Sequence, residues 1–182
     1  MRYLITGASG SLGYELTKNI SKDQKILAHY HNNKLSLSNK NIETITTKKL
    51  IQNNYEKILE FKPDIIIHLA ATGLKKKYIL NSQIKKTNYD FTKNLIKVSA
   101  KLNLKMFIFA STSNIYELSN KPLSENSPLK NDKEMNEYEK SKYLSEQFFR
   151  HKEFKKIKFV ILRLFPFIDK RDHRKNIFGK IN

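Results

Sequence analysis

The 182-residue chain has no cysteine, and that absence removes disulfide bridges, thiolate catalysis and cysteine-ligated zinc together. It also lacks any apolar run near the roughly 18 to 20 residues that cross a bilayer. With 29% of its residues charged, a membrane protein is not expected. Internal repeats and low-complexity linkers are missing too. Residues 1–6 already read as a strand, which leaves no room for a signal peptide, and a cytoplasmic protein is the simplest expectation. Acidic residues are few: 17 Asp and Glu stand against 35 Lys and Arg, for a formal net charge of +18.

Such an excess can mark a nucleic-acid binder. Here the lysines are scattered, and isoleucine and asparagine are abundant as well, a trio that an A/T-rich coding sequence produces without selection for DNA. The densest clusters, Lys75-Lys76-Lys77 and Lys155-Lys156 with Lys158, are short and lack the interleaved aromatic platforms of single-strand binders. No nucleic-acid partner is therefore expected. The 39% hydrophobic share suffices for one packed domain.

Strand-like and helix-like segments alternate from end to end. Arg2–Thr6 is a short apolar strand, followed by Leu12, Leu16 and Ile20 at the four-residue spacing of one helix face. Strands are expected at Lys25–Tyr30 and, more weakly, at Asn41–Thr46, and a helix from Leu50 to Phe61 ended by Pro63. Asp64–Ala71 and Lys105–Ser111 are continuous apolar runs of the kind buried on both faces of a parallel sheet. A long helix is expected over about Ser82–Leu102, another over Glu137–Arg150, and a last strand at Lys158–Leu164. This alternation predicts an α/β fold, a doubly wound parallel sheet of Rossmann type with right-handed crossovers and helices on both faces. Ligands then bind at the carboxyl ends of the strands.

Three of the five glycines, Gly7, Gly10 and Gly13, fall within seven residues between that first strand and first helix. This strand–loop–helix context is what a phosphate-binding loop requires. The first glycine permits the tight turn, the second lets the backbone approach a pyrophosphate, and the third allows close helix packing. The helix N-terminus offers N–H groups and the positive end of the dipole.

The spacing Thr6-Gly7-Ala8-Ser9-Gly10-Ser11-Leu12-Gly13 resembles the Thr-Gly-x-x-Gly-x-x-Gly signature of extended short-chain dehydrogenases/reductases, the NAD(P)-dependent sugar epimerase/dehydratase family. That resemblance implies cofactor contacts from Gly7, Ser9, Gly10, Ser11, Leu12 and Gly13. Pro63-Asp64-Ile65-Ile66-Ile67-His68-Leu69-Ala70-Ala71 is similar to the family's strand whose end lines the cofactor ribose, which implies Leu69, Ala70 and Ala71. Thr87-Asn88 resembles a third motif, whose asparagine braces the active-site strand.

Tyr138-Glu139-Lys140-Ser141-Lys142 holds a Tyr-x-x-x-Lys pair, and position distinguishes it from the copies at Tyr30/Lys34 and Tyr89/Lys93. Only Tyr138 follows the hydroxyl-rich Ser111-Thr112-Ser113 at the end of a buried strand, where the family places its catalytic Ser/Thr. Residues four apart on a helix share a face, so Tyr138 and Lys142 reach one site. A free phenol has a pKa near 10, so proton exchange at neutral pH needs it lowered, which a neighbouring ammonium favours. The resemblance implies that Tyr138 is the general acid/base, that Lys142 also holds the nicotinamide ribose, and that Thr112 orients the reacting oxygen. Phe165, at the end of Val160-Ile161-Leu162-Arg163-Leu164-Phe165-Pro166, maps to a residue near the nicotinamide.

Several positions depart from the family pattern. The segment after the second strand, His29-Tyr30-His31-Asn32-Asn33-Lys34, has no carboxylate for an adenosine ribose. His31, Asn32 or Lys34 could receive a 2′-phosphate there, so NAD or NADP is expected with a lean to NADP, and ordinary surface residues are the alternative reading. His29 and His31 lie two apart with no third ligand, and no metal is expected. Thr46-Thr47 replace the usual Asp after the third strand, Glu117 replaces a glycine, and the turn Phe165-Pro166-Phe167-Ile168-Asp169 lacks the usual Asn and Gly. Residues 1–165 are read as the dinucleotide domain. Residues 166–182, with Arg171-Asp172-His173-Arg174, are read as the start of a substrate-binding region that family members extend much further. The isolated chain is accordingly expected to be a poor catalyst.

The resemblance implies an epimerase or reductase acting on a nucleotide-diphosphate sugar. A dehydratase is disfavoured, because Thr112-Ser113-Asn114 carries no acidic pair. A noncatalytic dinucleotide-binding module stays open as the alternative. A homodimer through the helices at about Ser82–Leu102 and Glu137–Arg150 is plausible by the same resemblance.

Overall fold

A computed structural model describes residues 1–37, 39–52, 55–73 and 80–167. The Lys75-Lys76-Lys77 cluster and residues 168–182, most of the region read as the start of a substrate-binding part, lie outside the described residues.

Six strands, β1 (Arg2–Thr6), β2 (Lys25–Tyr30), β3 (Ile42–Thr46), β4 (Ile65–His68), β5 (Met106–Thr112) and β6 (Phe159–Leu164), form one sheet in the order β3-β2-β1-β4-β5-β6. Every neighbouring pair is parallel. This is the doubly wound Rossmann order, whose topological switch point lies between β1 and β4. Alternate residues of the strands feed two cores. One face carries Leu4, Leu27, Ile66, Phe107 and Phe109 against α5 (Phe91–Ser99), α6 (Glu137–Phe149) and the short helices α2 (Thr47–Gln52) and α3 (Glu56–Phe61). The other carries Ile5, Ile26, Ala28 and Ile67 against α1 (Ser11–Asn19) through Tyr14, Leu16 and Ile20.

Two helices differ from the expectation. The single helix read from Leu50 to Phe61 is divided into α2 and α3, with Tyr55 in the left-handed region at φ 65. That conformation costs a non-glycine residue roughly 1–2 kcal/mol. Burying the Tyr55 ring beside Phe91, at 6.3 Å between centroids, offsets it. The long helix begins with α4 (Asn81–Lys85) and continues into α5 through one π-helical turn, Lys86–Asp90. The wider turn brings Asn88 to zero exposure facing α6, and such bulges are frequent at functional positions.

Two histidines lie inside this core. His29, on β2, stacks on Phe91 with ring centroids 5.2 Å apart and bonds Thr47 Oγ1 through Nε2 at 2.9 Å. Its Nδ1 has no hydrogen-bond partner among the described residues. Burial, with a lesser contribution from the charge of His31, lowers its pKa from 6.5 to about 4. His68, on β4, is fully buried, and burial, with the charges of Lys142 and His29, holds it well below its ordinary value.

Both histidines are neutral in the folded chain and take up protons more readily when unfolded. Their stabilisation is complete above pH 6.5 and is lost as pH falls toward the folded values. For His29 the interval between 6.5 and about 4 corresponds to roughly 3 kcal/mol. Urea unfolding at pH 7 and at pH 5, where most carboxylates stay ionised, should show a clear fall in midpoint; a flat profile would mean that the histidines are hydrated in solution.

Candidate functional site

The glycine loop closes over the switch point. Gly7 has φ +70, and a Cβ there would meet Ala70 N at 2.8 Å, so β1 can leave the sheet only as glycine beside the end of β4. A Cβ on Gly13 would meet Gly7 O at 2.3 Å and Ala8 Cα at 2.8 Å, so this glycine seats α1 on the loop backbone. Gly10 differs. It is exposed, with an ordinary φ of −73°, and its Cβ would meet only Gly7 O, at 3.2 Å. Its backbone conformation does not ask for glycine, and the one tight neighbour of a Cβ would be that loop oxygen, so the bare position leaves room for close approach from outside. Gly10 is also the N-cap of α1 and offers no capping side chain, so the loop presents bare backbone to an anion. Ser9, Ser11 and Leu12 are half-buried in this loop. These features fit the pyrophosphate of a dinucleotide.

From the loop a line of hydrogen bonds runs through the core. The Ala70 N–H donates to Thr6 Oγ1 at 3.2 Å, and Thr6 Oγ1 lies 2.6 Å from His68 Nδ1. His68 Nε2 lies 2.6 Å from Thr92 Oγ1, whose hydroxyl donates to the Asn88 carbonyl at 2.5 Å. Thr92 has thus used its hydrogen and must accept from Nε2–H, which leaves Nδ1 to accept from Thr6. One neutral tautomer satisfies every group. Asn88 then spans two elements. Its Nδ2 donates to the Thr72 carbonyl at 2.9 Å and to Ser141 Oγ at 3.0 Å, while its Oδ1 accepts the Thr72 N–H at 2.8 Å. The asparagine therefore braces the segment leaving β4 against α6.

The first turn of α6 is set by a capping box. Asn136 Oδ1 accepts the Glu139 N–H at 3.0 Å, and Glu139 Oε2 accepts the Asn136 N–H at 3.0 Å. Lys130 pairs with Glu139 Oε1 at 3.2 Å. Tyr138 and Lys142 follow on one face toward the carboxyl end of β5. Lys142 is 1% exposed; its Nζ donates to the Ala110 carbonyl at 2.8 Å and lies 4.7 Å from the Phe109 ring centroid and 6.0 Å from that of Tyr138. Burial lowers the Lys142 pKa to about 7, opposed by the charge of Glu146. Tyr138 has no hydrogen-bond partner for its hydroxyl among the described residues, and burial pushes its phenol up to about 12. The expected lowering by Lys142 is thus not met in the chain by itself, because desolvation outweighs an ammonium turned to a main-chain carbonyl. Thr112, the last residue of β5, accepts the Asn114 N–H at 3.2 Å, and its hydroxyl hydrogen is donated to no group among the described residues.

The structure brings Thr112, Tyr138, Lys142 and Asn88 to one region around β5 and α6 and places the loop of Gly7, Gly10 and Gly13 across the switch point from it. Leu69 and Ala70 are half-buried at the end of β4, and Ala71 is exposed. His31 and Asn32 are exposed beyond the end of β2, while His29 is buried, so the two histidines do not share an environment. Phe165 is 58% exposed after β6 and lines an open cavity of about 220 Å³ with Ser113, Asn114, Tyr116 and Glu117. A larger concavity, about 840 Å³, gathers Lys22, Lys25 and Lys40 at the amino ends of β2 and β3, the end of the sheet away from these residues. Among the described residues no cluster of His, Asp and Glu could hold a metal. No described helix is long and apolar enough to cross a membrane.

Sequence reasoning passed over Thr6, His68 and Thr92 as a relay, and Ser111, Glu146 and Arg163 as a buried cluster. Signals were present. Glu146 continues the four-residue spacing of Tyr138 and Lys142, and Arg163 is the one charge inside an otherwise apolar β6.

Comparison with known proteins agrees with the family and the fold. Residues 3–180 match the NAD dependent epimerase/dehydratase family. A UDP-N-acetyl-alpha-D-glucosaminuronate decarboxylase from Bacillus cytotoxicus is 30% identical over 131 residues, covering 68% of this chain and 40% of that protein. The crystal structure of UDP-glucuronic acid 4-epimerase from Bacillus cereus in complex with NAD superposes with a TM-score of 0.76 at 23% identity, covering 91% of this chain and 56% of that one. The Bordetella bronchiseptica enzyme WbmG in complex with NAD and UDP gives a TM-score of 0.74 at 23% identity, covering 90% and 52%. The chain thus spans 40% of the curated relative and little more than half of these two structures. With its parallel sheet, its glycine loop at the switch point and a family match over nearly its whole length, the chain belongs to the NAD dependent epimerase/dehydratase family.

Proposed function

We propose that the chain is the cofactor-binding part of an NAD(P)-dependent epimerase or reductase acting on a nucleotide-diphosphate sugar, with Tyr138 as its general acid/base. The observation that carries this reading is the pair Tyr138 and Lys142 on one face of α6, packed against the carboxyl end of β5 and tied through Asn88 to the end of β4. UDP-sugar relatives and NAD-bound neighbours support the substrate and cofactor classes.

The loop around Gly7, Gly10 and Gly13 would hold the pyrophosphate, with Ser9, Ser11 and Leu12 beside it. Leu69, Ala70 and Ala71 would line the ribose, and Phe165 the nicotinamide. His31, Asn32 and Lys34 are exposed after β2, where no carboxylate repels a 2′-phosphate, which supports NADP as well as NAD. When bound, the nicotinamide accepts or returns hydride. Tyr138 takes or gives the proton of a sugar hydroxyl from its place in the first turn of α6, where the helix dipole favours phenolate. Its raised pKa in the free chain makes it a proton donor at rest, and it becomes a base only when a positive group is assembled beside it. Lys142, whose Nζ donates to the Ala110 carbonyl in the chain by itself, would donate to the ribose hydroxyls, and the hydroxyl of Thr112 would hold the reacting oxygen.

Titration with NADH and NADPH, followed by nicotinamide fluorescence, should give saturable binding. Gly10→Ala should weaken binding with little loss of thermal stability, whereas Gly13→Ala should destabilise the fold by roughly 1–3 kcal/mol. Equal effects of the two on stability would remove the argument from Gly10. In the protein that carries turnover, Tyr138→Phe should lower kcat by about 10²- to 10⁴-fold while leaving cofactor binding intact. Binding without any conversion sensitive to Tyr138 would point to a dinucleotide-binding module.

A further inference from the structure

The segment that follows Thr112 leaves the sheet and returns to α6, and a side chain of β6 reaches across to hold it. After a short 3-10 turn, Ser113–Ile115, the chain meets itself again at a bridge between Tyr116 and Leu129. The Glu117 N–H donates to the Pro128 carbonyl at 3.0 Å, and the Lys130 N–H donates to the Ile115 carbonyl at 2.9 Å. Beyond that bridge the loop bonds locally, Ser119 with Lys121 and Ser124 with Ser127. Local bonds give a loop its shape but do not fix its place on the sheet.

Arg163 supplies that connection. Its Nη1 donates to the Tyr116 hydroxyl at 3.0 Å and to the Glu125 carbonyl at 3.2 Å, and its guanidinium carbon lies 4.9 Å from the centre of the Tyr116 ring. Another edge of the guanidinium is held by Glu146, through Nη2 at 2.8 Å and through Nε at 3.2 Å to each oxygen. Glu146 has zero exposure and accepts in turn from Ser111, the residue before Thr112. Nε, Nη1 and Nη2 are all engaged, in a planar fork whose edges face different elements. Lysine, with its donors on one atom, cannot face both.

These contacts begin and end beside Thr112. Ser111 precedes it on β5, and Ser113, next to it in the chain, lines the open cavity of about 220 Å³ together with Asn114, Tyr116, Glu117 and Phe165. We infer that Arg163 is a positioning residue: clamped by Glu146, it fixes Tyr116 and the loop of residues 117–130 as a preformed wall of the cavity beside Thr112. It acts through the Tyr116 hydroxyl and the Glu125 carbonyl, and a wall already in place spares a ligand the entropy of ordering it. The bearing on catalysis rests on the sugar-nucleotide reading proposed above; the placement of the loop does not.

The test is amide hydrogen exchange of the whole chain, resolved by NMR. In Arg163→Lys, which keeps a cation beside Glu146, exchange at Glu117 and Lys130 should quicken about tenfold, the effect of one lost hydrogen bond. The amides of β5 and α6 should keep their wild-type rates. Tyr116→Phe, which leaves the Glu146 pair whole, should quicken the same two amides, and adding it to Arg163→Lys should change little more. That non-additivity marks a tie between the two residues, whereas general loosening would raise exchange in β5 and α6 and let the two changes add. Should Arg163→Lys fail to fold, Tyr116→Phe decides alone. Unchanged exchange at Glu117 and Lys130, or an equal rise across β5 and α6, overturns the inference. In the protein that carries turnover, Arg163→Lys should raise KM for the sugar nucleotide about tenfold with kcat and NADH binding little changed; an unmoved KM overturns the bearing on catalysis. NADH titration of the wild-type chain separates the two failures. No binding removes the cofactor reading and leaves the loop result standing, whereas binding with unmoved loop exchange in the variants removes only the role of Arg163.

Discussion

His68 lies at zero exposure between the hydroxyls of Thr6 and Thr92, and its neutrality orders the hydrogen bonds around it. A charged imidazole would place two donors against two hydroxyls and add a second cation near Lys142, inside a core that cannot solvate it. The neutral ring lets each partner give one hydrogen and take one. Through it β1, β4 and the π-helical turn are joined, and Asn88 extends the connection to α6 and to Thr72. The glycine loop and the Tyr138 helix are thereby set relative to one another by a satisfied polar network inside an apolar core.

The same economy governs α6. Its register is set at the start by the Asn136–Glu139 capping box, and four-residue spacing then carries Tyr138, Lys142 and Glu146 along one face. Ser141 and Ser145 turn to Asn88, with Ser145 Oγ lying 3.4 Å from its carbonyl. One helix therefore presents its titrating groups to β5 and its small hydroxyls to the π turn. Buried charges at Lys142, Glu146 and Arg163 persist because each has hydrogen-bond partners; removing one partner of such a set costs more than the set contributes. The surface pairs, such as Lys57 with Glu43 at 2.8 Å, belong to exposed side chains and stabilise little. The overall charge of +18 thus says less about this protein than one carboxylate of zero exposure.

The fold was legible because its signals are local and repeated. Unbroken apolar runs at Ile65–His68 and Met106–Thr112 announce parallel strands, and the spacing of Gly7, Gly10 and Gly13 announces the turn between β1 and α1. The divided α2 and α3 was not legible, because the left-handed Tyr55 is chosen by a distant ring, Phe91, and not by its neighbours in the chain. The π turn escaped for a similar reason: nothing in Lys86–Asp90 asks for it until Asn88 must face Ser141.

By itself the sequence determined the strand order's raw material, the glycine loop, and the pair Tyr138 and Lys142 as candidates, since each depends on residues close together in the chain and on the periodicities of helix and strand. Tertiary structure alone decided the protonation states. Desolvation, which no sequence pattern measures, pushes the Tyr138 phenol up to about 12, brings Lys142 down to about 7 and keeps His68 neutral. It also decided which charges meet, for Ser111, Glu146 and Arg163 come from β5, α6 and β6 and become one cluster only when the sheet closes against the helix.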